Sequence, residues 1–250
     1  MQICIPSKGR SRTWTYKWLQ EGGHTVHHFV EPQDEREYRE AGVPNLVIIP
    51  DNDRGLMYVR NYILDWAKER NLDWIWILDD DITQLGIAIN GIRNVMQAET
   101  LDILFNNVFK YQFPVNGMNY PNFAWAASKL KRRYAINARV VDCCVLLYLP
   151  KITWRFREEF VTKGDRDFCM QAIKYSSGVC MDLHMWMQVP QIGSNLGGLN
   201  EIYKHKKDGQ SSRLFVDLWR PYATIVNKGT RIDCKVHMAD YAKSLGRTVR

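Results

Sequence analysis

The chain has 250 residues, 46% of them apolar and 24% charged, enough for a sizeable core and too apolar for a disordered polymer. No apolar run approaches the roughly 20 residues of a membrane span, and MQICIPSKGR lacks the basic start and long apolar stretch of a secretory signal. The net charge of +7 divides unevenly: residues 1–100 hold 11 Lys/Arg against 15 Asp/Glu, and residues 101–250 hold 23 against 12.

An acidic half joined to a basic half points to an anionic partner for the second half, against the plainer reading of a basic surface that aids solubility. The six cysteines (4, 143, 144, 169, 180 and 234) form no C-x-x-C pair. A zinc ribbon and a disulfide scaffold are therefore disfavoured, and a reducing cytosol fits. No repeat and no long Pro/Gly/Ser linker interrupts the chain, so one continuous domain over 1–250 is the simpler organisation.

In chain order, Met1–Pro6 reads as a strand, Thr13–Gln20 as a helix, Thr25–Val30 as a strand and Glu35–Ala41 as a charged helix. Asn45–Pro50 is a third strand. Leu56–Glu69 places apolar residues at 56, 59, 63, 64 and 67, a helical spacing. Trp74–Leu78 (WIWIL) is a wholly apolar fourth strand. Strands alternating with helices argue an α/β fold with a mostly parallel sheet flanked by helices. Further on, Leu101–Phe109 reads as helix, Val140–Leu149 as buried strand, Asp165–Lys174 as helix and Gly178–Val189 as strand. Past Gly193 the pattern weakens.

In such sheets ligands bind beyond the carboxyl ends of the strands. Those ends carry Ser7-Lys8-Gly9-Arg10, Glu31, Asp51 and Asp79-Asp80-Asp81. Three acids in a row after a buried strand repel one another unless a cation sits among them. A hard divalent ion, Mg²⁺ or Mn²⁺, sharing oxygens with a diphosphate answers that repulsion; a solvated N-cap turn is the plainer alternative. The loop after Pro6 offers N–H groups, a hydroxyl and cations to an anion, although it is neither a P-loop nor a G-x-G-x-x-G fingerprint. Arg60, one turn into its helix, is spaced to reach back to the acidic strand end. Gly164-Asp165-Arg166-Asp167 opens a helix; one Asp can cap it, and a carboxylate there can serve as general base for a hydroxyl.

Among six histidines, His24, His27 and His28 read as structural or surface residues, while His184, His205 or His237 could complete a metal shell. Basic residues interleave with aromatics at Lys129, Lys131, Arg132 and Arg133 beside Tyr134, in KITWRFR, and in Tyr203–Lys207. Cations neutralise phosphates and aromatics stack on bases, so a nucleic-acid face is one reading and solvated helix faces the other.

The order IPSKGR, GLMYVRN, LDDD, GDRD resembles GT-A-fold nucleotide-sugar glycosyltransferases over about residues 1 to 190. Within them, IPSKGR with LDDDI and GDRDF resembles the TET-associated glycosyltransferases, mostly bacteriophage-encoded. The resemblance implies transfer of a hexosyl or N-acetylhexosaminyl group from a UDP-sugar, with Mn²⁺ or Mg²⁺, to 5-hydroxymethylpyrimidines such as 5-hydroxymethylcytosine in phage DNA. It implies residues 1–100 as the nucleotide-sugar half and 101–250 as the acceptor half, in the cytoplasm of a host cell. It puts Ser7, Arg10 and Glu31 at the nucleotide, and Asp79 and Asp81 at the diphosphate with Asp81 as the metal ligand; Pro6, Lys8, Asp51, Arg60, Asp79 and Asp80, read from the strand ends and the helix, complete the nucleotide-sugar set, and Asp79 and His184 the metal set. Asp165 or Asp167 becomes the base. Here the late motif is Asp-Arg-Asp where such enzymes often carry Glu-Asp, so the choice between the two stays open. One-step attack would invert the anomeric centre. Other acceptors, and a nucleotidyltransferase releasing pyrophosphate, are the alternatives; a non-catalytic DNA-binding module is a third, which intact DDD and GDRD oppose.

Overall fold

The computed structural model describes all residues except Trp14, Lys131, Thr230 and the stretch 192–207. His205 and the Tyr203–Lys207 turn thus lie outside the described residues. The elements in order are β1 (Gln2–Pro6), α1 (Thr15–Glu21), β2 (Thr25–Val30), α2 (Glu35–Glu40), β3 (Leu46–Ile48), α3 (Leu56–Glu69) and β4 (Trp74–Leu78). They continue with β5 (Gln84–Ile89), β6 (Ile92–Val95), α4 (Glu99–Val108), β7 (Val115–Asn119), α5 (Pro121–Ser128), β8 (Tyr134–Ile136) and β9 (Cys144–Tyr148). Last come α6 (Gly164–Tyr175), β10 (Val179–Gln188), α7 (Asp208–Trp219), β11 (Ala223–Lys228), β12 (Arg231–Val236) and α8 (Met238–Ser244).

Among the described residues, one ten-stranded sheet runs β3-β2-β1-β4-β9-β7-β10-β5-β6, with β8 on β10. The four leading strands are parallel, and β7, β10 and β6 share their direction; β9, β5 and β8 oppose it. Helices cover both faces, because β1, β4 and β9 are apolar on both. In β4, Ile75 and Ile77 enter the core shared with α3 and α6, while Trp76 and Leu78 enter the core shared with α1 and α4. This is the period-2 alternation of a strand buried on both sides. Alternating side chains of β1 (Cys4 against Ile3 and Ile5) and β9 (Val145 and Leu147 against Cys144 and Leu146) divide the same way.

The elements past Gly193 pack on the first of these cores. Phe215 and Trp219 of α7 and Tyr241 of α8 join Phe160 and Phe168 in one cluster. No helix among the described residues is long and apolar enough to cross a membrane.

One expected strand is shorter than its apolar run. Val140–Cys143 is not part of β9: Cys143 takes φ +51°, a left-handed conformation uncommon outside glycine, and the chain turns there. Leu56–Glu69 forms as expected, entered through Gly55 at φ +87°, a backbone geometry that glycine adopts without a Cβ penalty.

Candidate active site

A cavity of about 480 Å³ opens at the carboxyl ends of β1 and β4. The β1 loop forms one wall. Ser7 Oγ donates to Asp80 Oδ2 at 2.5 Å and shares a hydrogen bond with the Tyr38 hydroxyl at 2.6 Å. Arg10 Nη1 donates to Asp80 Oδ1 at 2.6 Å and to Asp81 Oδ2 at 3.2 Å. Lys8 pairs with the buried Glu31 at 2.7 Å and with Asp53. The loop after the first strand is thus sewn to the end of the fourth by charge-assisted bonds.

The acid triplet divides its duties. Asp80 is buried, and its main-chain oxygen also accepts from Thr15 Oγ1 at 2.7 Å. Burial pushes its carboxyl up to about 6, against the pull of Arg10. Asp79 and Asp81 are partly exposed to the cavity. The Asp79 N–H is fixed to the Cys143 carbonyl at 2.7 Å, continuing the β4–β9 ladder by one residue. Its carboxylate accepts from Arg60 Nη2 at 3.1 Å. Arg60 comes from the buried face of α3, and its Nε has no hydrogen-bond partner. Burial raises the Asp79 carboxyl above its ordinary range; Arg60 opposes this, and Asp81 and Asp165 add to it.

The opposite wall comes from α6 and the turn before β9. Asp165, in the first turn of α6, lines the cavity. So does Asp142, whose Oδ1 accepts from the Tyr120 hydroxyl at 3.1 Å. Burial, then the negative charge of Asp165, push the Asp142 carboxyl up to about 7. Lys163 and Arg166 flank Asp165 on the same wall.

Pro6, Ser7, Lys8, Arg10, Glu31, Arg60, Asp79, Asp80, Asp81 and Asp165 therefore converge on one cavity. Asp51 lies outside its lining, held by the Tyr58 hydroxyl at 2.8 Å; Asp53 is there instead. Asp167 is turned away: it is buried and accepts from Arg157 at 2.5 Å, Trp219 Nε1 at 2.8 Å and Gln171 at 2.8 Å. His184 sits in β10 away from the lining; its N–H donates to Asp182 at 3.0 Å and its Nε2 is buried without a partner. Lys129, Arg132 and Arg133 also lie off the cavity. Lys129 covers the Trp125 ring at 3.4 Å, Arg132 donates to the Tyr134 carbonyl at 3.3 Å, and Arg133 neutralises the buried Asp182 at 3.0 Å. Lys131 lies outside the described residues.

Sequence reasoning missed Asp142, Tyr120, Lys163 and Arg166. A signal existed for Asp142, a lone acid inside VVDCCVLLYL that a doubly buried strand would not carry. Tyr120 gave none.

Hard divalent cations take oxygen ligands, and Mg²⁺ commonly uses one or two protein carboxylates with phosphate and water for the rest. Among the described residues no three metal-ligating side chains converge on one point. Asp79 and Asp81 offer two carboxylates at the cavity, where Asp142 and Asp165 leave negative charge in excess. That donor set fits such a cation shared with a diphosphate.

Solved structures with partial likeness include a cytidylyltransferase from Leptospira borgpetersenii (13% identity, 60% of each chain covered, TM-score 0.35). Our chain thus spans 60% of that protein's length. A197 from STIV matches at 15% identity over 76% of this chain and 85% of its own, TM-score 0.43. A CMP:2-keto-3-deoxy-manno-octonic acid synthetase complexed with CTP matches at 10% identity over 87% of this chain and 98% of its own, TM-score 0.43. None of these likenesses carries a functional argument. No curated protein matches the chain. The family model for TET-associated glycosyltransferases matches residues 1–194, the span that holds the whole cavity wall from Pro6 to Gln191, and the chain belongs to that family.

Proposed function

We propose that the protein moves a hexosyl or N-acetylhexosaminyl group from a UDP-sugar to the hydroxyl of a 5-hydroxymethylpyrimidine in phage DNA. The observation that carries this reading is the convergence of the β1 loop, Asp79, Asp81 and Asp165 on one cavity at the strand ends. Lys8 and Arg10 hold the nucleotide side, with Glu31 and Asp53 fixing the Lys8 ammonium. Asp80 takes no part in the chemistry; buried under Arg10 and Ser7, it fixes the wall.

A Mn²⁺ or Mg²⁺ held by Asp79 and Asp81 would neutralise charge on the departing diphosphate. Asp165 is the base because it faces the cavity, whereas Asp167 is spent on Arg157, Trp219 and Gln171. Asp165 takes the acceptor hydroxyl proton as that oxygen bonds to the anomeric carbon. The bond from that carbon to the diphosphate oxygen breaks, and the electron pair leaves with UDP. One displacement from the face opposite UDP inverts the anomeric centre. Arg60 holds Asp79 in place from below. A base in duplex DNA must leave the stack to reach such a cavity.

The test is mass spectrometry of hydroxymethylated DNA incubated with the protein, Mn²⁺ and a panel of UDP-sugars. A sugar-sized mass gain on DNA with release of UDP is expected. Sugar gained only by a protein, glycan or lipid overturns the acceptor. Pyrophosphate released from a nucleoside triphosphate overturns the donor.

A further inference from the structure

Helix α5 starts just after Tyr120, which lines the cavity, and packs along the β5–β6 hairpin. Asn122, Trp125 and Lys129 recur at i, i+3 and i+7 and so share one face. That face and the start of β6 border an open groove lined by Gly91, Ile92, Arg93, Asn122 and Trp125. β6 forms one edge of the sheet, and all four of its residues are exposed. In the groove, Trp125 is 43% exposed and Ile92 64%.

The groove is tied at its far end. The Gly91 N–H donates to Ser128 Oγ at 2.9 Å, joining the hairpin turn to the last residue of α5. Gly91 takes φ +77°, and a Cβ there would stand 2.7 Å from Lys129 Cε. Lys129 Nζ lies 3.4 Å from the centre of the Trp125 ring, which orients the ammonium without neutralising it. Among the described residues neither Arg93 nor Lys129 has an ion-pair partner. The surrounding chain brings no acid of its own: residues 82–98 hold one Lys/Arg and no Asp/Glu, and residues 103–141 hold six and none.

An indole, two cations and an amide in a groove whose own segments lack carboxylates suit a flexible polyanion that carries flat rings. Single-stranded nucleic acid has this chemistry: its phosphates take the cations and its bases stack on the indole. A protein partner would favour apolar side chains at the centre of the contact and keep lysine out of it. The place agrees as well. From Tyr120 to Lys129 the helix rises about 14 Å, at about 1.5 Å per residue, so a strand along α5 reaches the cavity mouth within a few nucleotides.

We propose that the groove between α5 and β6 holds an unpaired stretch of the nucleic-acid acceptor beside its target base, with a base against Trp125 and phosphates on Arg93 and Lys129. This rests on the nucleic-acid reading of the acceptor above and adds the surface outside the cavity that serves it.

The test is binding of a labelled single-stranded oligonucleotide containing 5-hydroxymethylcytosine, and of its duplex, to the whole chain over a series of NaCl concentrations. In Arg93→Gln/Lys129→Gln the slope of log affinity against log salt for the single strand is expected to fall by about 1.4, at about 0.7 per lost phosphate contact. Both side chains are exposed, so this variant should melt with the wild type. Trp125→Leu, which keeps an apolar side chain in place of the ring, is expected to bind the single strand at least about 5-fold more weakly. Wild-type affinity and slope in both variants overturn the groove while leaving the acceptor reading intact. So does a wild-type protein that binds the duplex and not the single strand. A wild-type dimer that Trp125→Leu dissociates, with oligonucleotide binding unchanged, assigns the face to a second copy of the chain and overturns the groove too. A wild-type protein that binds neither oligonucleotide overturns the groove and the acceptor reading together.

Discussion

Asp165 and Asp167 stand two residues apart in the first turn of α6 and point into different worlds. Asp165 lines the cavity; Asp167 is buried among Arg157, Gln171 and Trp219. In a helix such neighbours cannot share a face. Replacing them should therefore separate chemistry from stability. Asp165→Asn is expected to keep the melting temperature and lower turnover by about 100-fold or more, the usual scale of general-base loss. Asp167→Ala is expected to destabilise by roughly 3–5 kcal/mol, because it takes the carboxylate from the Arg157 guanidinium and the buried Trp219 Nε1, while Gln171 keeps the Arg155 carbonyl. Thermal melts and single-turnover transfer on both variants check this; Asp165→Asn at wild-type rate would remove that residue from the mechanism.

The acid triplet makes a parallel contrast. Asp81 is partly open to the cavity, while Asp80 lies beneath Arg10 and Ser7. Asp81→Ala is expected to abolish Mn²⁺-dependent transfer with little change in stability, and to weaken Mn²⁺ binding in the presence of UDP by calorimetry. Asp80→Ala is expected to lower the melting temperature sharply, since Arg10 and Ser7 lose the buried carboxylate that ties the β1 loop to the end of β4. Mn²⁺ binding that is equal in wild type and Asp81→Ala would dismiss that carboxylate as a ligand.

His28 gives the fold a dependence on acid. Its ring is buried beside Tyr16, with the ring centroids 5.0 Å apart, and its Nε2 has no partner. Burial lowers its pKa to about 4, only partly offset by the hydrogen bond to the Pro44 carbonyl. The unfolded chain, with an ordinary imidazole near pH 6.5, then binds more protons than the folded one between those values. Stability from this group is present above about pH 6.5 and is lost as the pH falls towards 4. The shift is worth up to about 3 kcal/mol. Asp80, raised to about 6, acts in the opposite sense, so the comparison must be made between wild type and His28→Phe. The difference between their unfolding free energies should shrink or turn against wild type between pH 6.5 and 4. A constant difference would contradict the assignment.

How much of this was legible in the chain depends on where the physics is local. WIWIL is apolar on both faces, so β4 and the acids at its end could be read directly. β7 (VNGMN) could not. Its buried asparagines resemble a loop, and only the fold shows Asn116 Nδ2 donating to the Phe113 carbonyl at 2.7 Å. Asp142 stands out as a lone acid in an apolar run, but the turn that brings it to the cavity depends on a left-handed Cys143, which no periodicity records. The Arg60–Asp79 contact was foreseeable from helix spacing and the βαβ order. Arg133 was not: as a sequence feature it belongs to a basic patch, and only the fold brings the buried Asp182 against it. Lys163 and Asp233 are distant in the chain, and their meeting is set by how the β11–β12 hairpin packs.

The placement of Asp165 depends in turn on a close approach between helices. Gly164 opens α6, and a Cβ there would stand 2.0 Å from the Met57 sulfur of α3. Methionine is flexible, but the sulfur, Cε and Cγ of the buried Met57 all lie within 2.9 Å of that Cβ, so most of the side chain must move to clear it. Gly164→Ala is thus expected to cost about 1–3 kcal/mol, the scale of an overpacked contact. It should also push the first turn of α6 away from α3, carrying Asp165 with it, and lower turnover more than it raises the KM for the donor. Shortening the obstacle tests the cause: Met57→Ala placed in the Gly164→Ala background should restore part of the turnover, although alone it leaves a cavity and destabilises. If the second substitution deepens the loss instead, steric contact with Met57 is not what makes glycine necessary at that position.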